Sequence, residues 1–540
     1  MLYFIPAWYQ QNEWCENEQY WYARRMRSEF DDTVKHIQLF HRSQAYPFRI
    51  MLLSFAPNFR HFLHRQSVFH APYWSCFDAI QEIRRKKVVT FSFHNLNWPK
   101  DIEFIYSPYA LVAQLHGERY AQVEFGEDGN PIQVDMYQSG HIQRKNIYDD
   151  RGFVSSTIVY EDGKPVRQDY LTDKGVWKMR HFFADGHVEI NKKNPTYLLV
   201  HNEKEYKMTF VHTLYANMEQ VIHEVLETYI ELTDKEDIFC IAMHERHTSL
   251  LKEVLAKKKC ILSFFENRYD AKSRPEALDM MERADYMIAD SRENQFLIQG
   301  IVDEKITKST NITPFDSRVD LGISQQLNVQ KILVPVDGLE DDRFNELIKI
   351  LGAYLPQNEN AQVHLYTRNA GYDRKKYLLE KTRLALCEAD LPEGWAAEGN
   401  PSGVTENMLD VVEVVPVKFF VEQCVSELAA SKCIREQRLI VDMRSKTEVY
   451  LRISAISMGI PQIVYTETQF VENKKNGRVI KEIGKISEVL EFYLENLTNW
   501  NEAVVYSYEL GKKYTTRNLI EKWKEVIEFV GSDSSVTTGE

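Results

Sequence analysis

Reactive side chains are plentiful in this 540-residue sequence, but few of them fall at spacings that chemistry requires. His244 and His247 frame the string HERH, one residue short of the HExxH spacing that sets two zinc ligands and a glutamate base on one helical face. Capping or surface roles are expected for them, not a metal. His61, His64 and His70, in RHFLHRQSVFH, read as polar-face and packing residues. No GxSxG elbow frames a nucleophile. No P-loop or GxGxxG string offers backbone amides to a phosphate, and the loop after the first apolar run, PAWYQQNEWCENEQYWY, contains no glycine. Its Trp8, Tyr9, Trp14, Tyr20, Trp21 and Tyr22 could stack on a sugar or peptide, although aromatics at this density more often close a core or an interdomain seam. The seven cysteines, at positions 15, 76, 240, 260, 387, 424 and 433, form no CxxC pair, so neither a disulfide framework nor a zinc site is expected. The expectation is therefore no catalytic residue, no cofactor and no metal.

The elements behind these residues follow from apolar periodicity. Strand-like runs LYFI (2–5), RIMLLSFA (49–56), KVVTFSF (87–93), IFCIAM (238–243), CILSFF (260–265) and YMIAD (286–290) alternate with helical patterns at 13–30 and 218–230. That rhythm predicts crossover units on a parallel sheet. A second set begins near residue 313, with KILVPV (331–336), QVHLYT (362–367), VVEVVPV (411–417), RLIVDM (438–443) and PQIVYT (461–466). Five strands with helical crossovers predict a second Rossmann-like sheet.

Between the two, Gly129, Gly140, Gly152, Gly163, Gly175 and Gly186 recur 11, 12, 11, 12 and 11 residues apart in turn-forming contexts such as EDGN and ADGH. Each can supply the positive φ of a tight hairpin, and each intervening run is about one strand long. An antiparallel meander of roughly six to eight strands is predicted. The domain reading is 1–116 and 200–312 for a discontinuous N-terminal Rossmann-like domain, and 117–199 for an inserted extended β-sheet. Residues 313–485 form the C-terminal Rossmann-like domain, 486–530 C-terminal helices and 531–540 a disordered tail.

The formal net charge is −13, from 66 Lys and Arg against 79 Asp and Glu. That balance argues against nucleic-acid binding, which needs a concentrated basic face. The basic segments RRKK (84–87), AKKKC (256–260), DRKKY (373–377) and ENKKNGRVIKEIGK (472–485) would draw anionic headgroups only if they gathered in space. No basic leader with an apolar core opens the sequence, and no apolar run is long enough to span a bilayer, so a cytosolic protein is expected.

KTEVYLRISAISMGIPQIV (446–464) reads as loop, helix, tight turn and strand: Val449, Ile453, Ile456 and Ile460 recur at helical spacing, and Gly459 and Pro461 stop the helix. This layout, on two Rossmann-like domains with an inserted sheet, resembles GT-B glycosyltransferases, whose matching segment usually carries two carboxylates at the places held here by Lys446 and Ser454. The resemblance also implies diphosphate-binding cations after the first C-terminal strand. There the chain has DGLEDDRFNELI, with Asp337 and Asp342 at those places. Acid in place of base repels a diphosphate. A degenerate donor site is expected at Asp337, Asp342, Lys446 and Ser454. Glu448, two residues from the first carboxylate position, and Arg343 are the residues that could compensate.

More narrowly, FIPAWYQQNEW, FDDTV, GERYAQVEFGEDGN, YDDRGFVSS and ITPFDSRVDLG resemble the first accessory secretory proteins of the accessory Sec system of streptococci and staphylococci, over essentially the whole chain. The resemblance implies a GT-B-like, non-enzymatic adaptor that assembles with the second and third accessory secretory proteins. Such an adaptor helps deliver a glycosylated serine-rich repeat adhesin to a dedicated motor ATPase and translocon. It further implies contact with anionic membrane lipids and a cytoplasmic protein held peripherally at the inner face of the plasma membrane. The competing expectation is an active GT-B glycosyltransferase that modifies the adhesin. The meander, with open edge amides and carbonyls, is the leading expected site for a protein partner.

Overall fold

The computed structural model describes residues 1–9, 30–318, 320–397, 416–446 and 448–532. The helix expected at 13–30, most of the strand expected at 411–417 and most of the tail fall outside the described residues, as do Trp14, Cys15, Tyr20, Trp21 and Tyr22.

Seven parallel strands form the first sheet, in the spatial order Lys308–Asn311, Tyr286–Ala289, Lys259–Phe264, Ile238–Ala242, Leu2–Ile5, Phe48–Leu52 and Tyr73–Ser75. The five central strands are the apolar runs of the sequence, because a strand covered on both faces must be apolar throughout. The two edge strands, YWS and KSTN, are short and too polar to announce themselves. KVVTFSF, read as a strand at 87–93, is not one. Val88 and Val89 are exposed, and the segment runs on into a single 3-10 turn, Phe93–Asn95. Its Phe91 and Phe93 instead pack against a small cluster on the inserted sheet that includes Leu111, Val123 and Tyr148.

The insert is one antiparallel sheet of ten strands, more than the six to eight expected. It runs from the edge strand Ile102–Tyr106 to Leu214–Tyr215, wider at both ends than 117–199. The hairpin Thr196–His201 with Lys204–Thr209 forms a separate pair. All six regularly spaced glycines have positive φ, between 75° and 81°.

A buried ion network fixes this sheet to the first domain. Arg60 Nε lies 2.5 Å from Asp150 Oδ1 and its Nη2 lies 3.1 Å from Asp149 Oδ1. Arg151 reaches Asp149 at 2.7 Å and Asp78, on the helix Cys76–Ile80, at 2.8 Å. Lys178, fully buried, donates to Glu82 (3.1 Å) and to the Asn194 carbonyl (3.0 Å). Charges this deep persist only when paired.

Six parallel strands make the C-terminal sheet, in the order Phe419–Gln423, Ala361–Thr367, Gln330–Pro335, Gln437–Asp442, Gln462–Val464 and Gly477–Val479. The reversal of strand order beside Gln330–Pro335 places a crevice at the carboxyl ends of these strands, where such sheets bind ligands. The helix Val449–Met458 ends on Gly459 in the left-handed region (φ 69°). The last helix, Thr516–Gly531, crosses back to the first domain, where the buried Trp523 meets Phe4, His36 and Phe40 edge-on. No helix among the described residues is long and apolar enough to cross a membrane.

Candidate functional site

Between the two sheets lies a cleft of about 990 Å³. Glu266 and Asn267 reach it from the first domain; Asp337, Gly338, Arg368 to Gly371, Arg374, Arg444 to Lys446 and Glu448 line it from the second. Each comes from just beyond a strand's carboxyl end or from the start of the following helix, so the crossover topology gathers them.

The four positions predicted for a degenerate donor site do not stay together. Asp337 and Lys446 line the cleft. Asp342 is exposed in the first turn of the helix Asp341–Tyr354, off the cleft wall. Ser454 faces a different cavity, of about 530 Å³, shared with Lys35, Arg42 and Glu427. Arg343 does not enter the cleft either: it donates to the Met443 carbonyl at 3.2 Å and lies 3.9 Å over the Tyr465 ring.

The cleft also has cations, from positions other than the two where acid stands in place of base. Arg368 and Arg444, missed in the sequence, and Arg374, read there only as part of the basic segment DRKKY, come from positions that only the fold brings together. Arg374 Nη2 lies 2.9 Å from Asp337 Oδ1, and Arg368 Nη1 lies 2.9 Å from Glu448 Oε1. Arg444 grips the fully buried Asp442 at 2.8 Å through both Nε and Nη2. Arg452, also fully buried, donates to the same carboxylate at 2.5 Å and to Gln462 Oε1 at 2.9 Å. Burial pushes Asp442 up, but the two guanidiniums outweigh it and hold its carboxyl below the usual range. Among the described residues, Lys446 is the one cleft cation without an ion pair. Glu448 does bring a carboxylate near the expected place, but Arg368 already neutralises it.

Glu266 differs. Burial, then the charges of Glu448 and Asp290, push its carboxyl up to about 8. Its Oε1 accepts from the Val449 amide at 3.3 Å, so an acid of the first domain meets the start of a helix of the second. The first-domain floor is equally committed. Arg268 pairs with Asp31 (3.2 Å) and Asp32 (2.5 Å), and Asp31 also accepts from Trp8 Nε1 (3.0 Å) and caps the helix Asp32–Ser43. Trp8 is buried beside Phe62 and so closes a core. His247 is buried with its Nδ1 2.6 Å from the Ala242 carbonyl and its Nε2 2.7 Å from Tyr9 Oη, and burial pushes its ring down to about 3. His244 caps its helix by accepting from the Arg246 amide. Glu266 and Glu448 both line the cleft, the first pushed up by burial and by the charge of the second, the second ion-paired to Arg368 at 2.9 Å.

The sequence model of the first accessory Sec system protein, accessory secretory protein 1, matches residues 1–529. The chain belongs to that family. A member from Streptococcus gordonii is 30% identical over 97% of this chain and 98% of its own length. Among solved structures, that of accessory secretory proteins 1, 2 and 3 in Streptococcus pneumoniae superposes with a TM-score of 0.77 at 28% identity, covering 98% of this chain and 99% of the other. The pneumococcal O-GlcNAc transferase GtfA, solved with UDP and GlcNAc, superposes with a TM-score of 0.69 at 12% identity over 98% of this chain and 99% of its own. That last likeness shows the GT-B fold alone.

Proposed function

We propose that this chain is a non-enzymatic adaptor of the accessory Sec system, a GT-B frame kept for its surfaces. It assembles with the second and third accessory secretory proteins and helps deliver a glycosylated serine-rich repeat adhesin to the motor ATPase and translocon. The observation that carries the reading is the pairing inside the cleft: Arg374 with Asp337 and Arg368 with Glu448, at 2.9 Å each. A nucleotide-sugar enzyme needs such cations free for the leaving diphosphate. The family relation and the fold shared with the three-protein pneumococcal structure support assembly with the sister proteins.

The open edge strand Ile102–Tyr106 of the inserted sheet is the proposed place of contact with an extended polypeptide, because edge amides and carbonyls pair with an added strand. Attraction to anionic lipid at the inner face of the plasma membrane belongs to the same proposal. Its basic segments are partly committed: Lys259 pairs with Glu236 at 2.6 Å, Lys485 with Glu482 at 2.9 Å, and Arg84 with Glu205.

The test is co-expression with the two sister proteins followed by purification on a tag carried by this chain, alongside an assay for UDP-GlcNAc consumption by the chain alone. Stoichiometric co-purification without sugar turnover is expected. Turnover by the isolated chain would sink the reading. Flotation with anionic but not neutral vesicles, abolished by high salt, is the result expected for the lipid contact.

A further inference from the structure

The carboxylate of Asp337 is held as a bound anion would be. Its Oδ1 accepts from Thr367 Oγ1 at 2.6 Å and from Arg374 Nη2 at 2.9 Å, and its Oδ2 accepts from the Arg368 backbone amide at 2.7 Å. A hydroxyl, an amide and a guanidinium converging on two oxygens is a donor set suited to phosphate oxygens. None of the three donors belongs to the loop that carries Asp337. They come from the strand Ala361–Thr367 and the segment leading into the helix Arg374–Cys387, so the set does not depend on the acid that fills it. Arg444 closes on the same loop, with its Nη1 3.3 Å from the Asp337 carbonyl. The acid's side chain is about one third exposed, at 34%, so the place it occupies opens directly into the cleft.

We infer that Asp337 is a built-in counter-anion that closes this cleft to phosphorylated ligands, and that loss of its carboxylate alone exposes a site for a pyrophosphate group. The inference rests on the reading that the native chain uses no nucleotide sugar, and it names the residue responsible. An incoming phosphate must either displace the Asp337 carboxylate or sit beside it, and like charges at contact in a partly solvated cleft cost about tenfold or more in affinity. Without the carboxylate, Thr367 Oγ1, the Arg368 amide and Arg374 all point at vacated space, with Lys446 on the same wall. Gly338, at φ +79°, supplies the left-handed backbone of the turn.

The experiment uses the full chain, Asp337→Ala, Asp337→Asn and the double variant Asp337→Ala with Arg374→Ala. Inorganic pyrophosphate and UDP are the probes, read by calorimetry and by the shift in Tm. The unmodified chain is expected to show neither heat nor shift. Asp337→Ala should bind pyrophosphate at least about tenfold more tightly, and the double variant should lose that gain. Asp337→Asn, which keeps the side chain's volume, should show a smaller gain in the same direction and covers the case in which the alanine variant does not fold. Folded single variants that bind no better than the unmodified chain would overturn the inference, as would a gain that survives loss of Arg374. Sugar transfer by the unmodified chain is a separate readout and counts against the functional reading alone.

Discussion

Glu266 and Val449 stand on opposite domains, and the carboxylate of the first accepts a hydrogen bond from the amide of the second at 3.3 Å. Glu293 makes the same kind of contact beside it, accepting from the Gln469 amide at 2.8 Å, and Lys35 pairs with Glu427 across the same seam. Phe30 adds an apolar stitch, with Tyr450 at 4.9 Å and the Arg368 guanidinium 3.6 Å over its ring. The two domains are therefore joined by contacts both at the cleft, through Glu266, and away from it, through Glu293 and Lys35.

That arrangement gives stability a pH dependence with a defined sign. Glu266 titrates near 4.5 when unfolded and at about 8 when folded, held up by burial, then by Glu448 and Asp290. Between those values the folded chain holds a proton that the unfolded chain has released, so this group's contribution to stability falls as pH rises from about 4.5 to about 8. Glu266→Gln keeps an acceptor for Val449 and removes the titration. The slope of Tm against pH across that window should be shallower in the variant, and equal slopes would refute the assignment.

Arg452 has a role that its place in a helix hides. It is fully buried, and it shares the Asp442 carboxylate with Arg444 while holding Gln462. Arg452→Ala leaves a buried carboxylate with half of its compensation, and a loss on the order of 3–5 kcal/mol is expected. Thermal unfolding should show the C-terminal half melting first, whereas a Tm within a degree or so of the parent would contradict the argument.

The six regular glycines are not equivalent. Gly163, at φ +75°, has open space where a Cβ would go, so Gly163→Ala should cost only the left-handed backbone, about 1 kcal/mol. At Gly152, φ +81°, the added carbon would lie 2.9 Å from the Val89 carbonyl oxygen, at the junction where Asp149, Asp150 and Arg151 bind the sheet to the first domain. Gly152→Ala should therefore be the more damaging by about 1 kcal/mol or more. Equal urea midpoints for the two variants would mean that the junction yields freely.

These glycines also mark what a sequence can disclose. A hairpin turn is decided by a few adjacent residues, so the meander is readable from Gly129 to Gly186, as are buried strands such as LYFI and IFCIA. The edge strands YWS and KSTN are not, since a strand with one open side needs no apolar run. KVVTFSF misleads for the opposite reason: its alternation suits a sheet, but Phe91 and Phe93 lie over a finished one as a loop. In the cleft, Asp337 and Lys446 can be found because they stand just after a recognisable strand and just before a recognisable helix. Arg368, Arg374 and Arg444 follow no local spacing, and their importance comes from which carboxylates the two strands and the helix bring within 3 Å of them.

The edge strand Ile102–Tyr106 allows a direct test of how the adaptor meets its partners. Natural edge strands are usually guarded by lysine, proline or a bulge, because an open, apolar edge recruits other chains. This one carries Ile105 at 47% exposure and Tyr106 at 69%, and the turn that leaves it, closed by the Ser107 amide on the Ala110 carbonyl at 3.1 Å, leaves its outer side unpaired with any described strand. Ile105→Lys with Tyr106→Lys adds two cations beside the exposed Glu103, at positions whose side chains contribute little to the core, so Tm and circular dichroism should match the parent. Co-purification of the second and third accessory secretory proteins should drop severalfold if strand addition at this edge holds the assembly. Undiminished recovery with a folded double variant would move the contact elsewhere, while leaving the ion-paired cleft and the non-enzymatic reading intact.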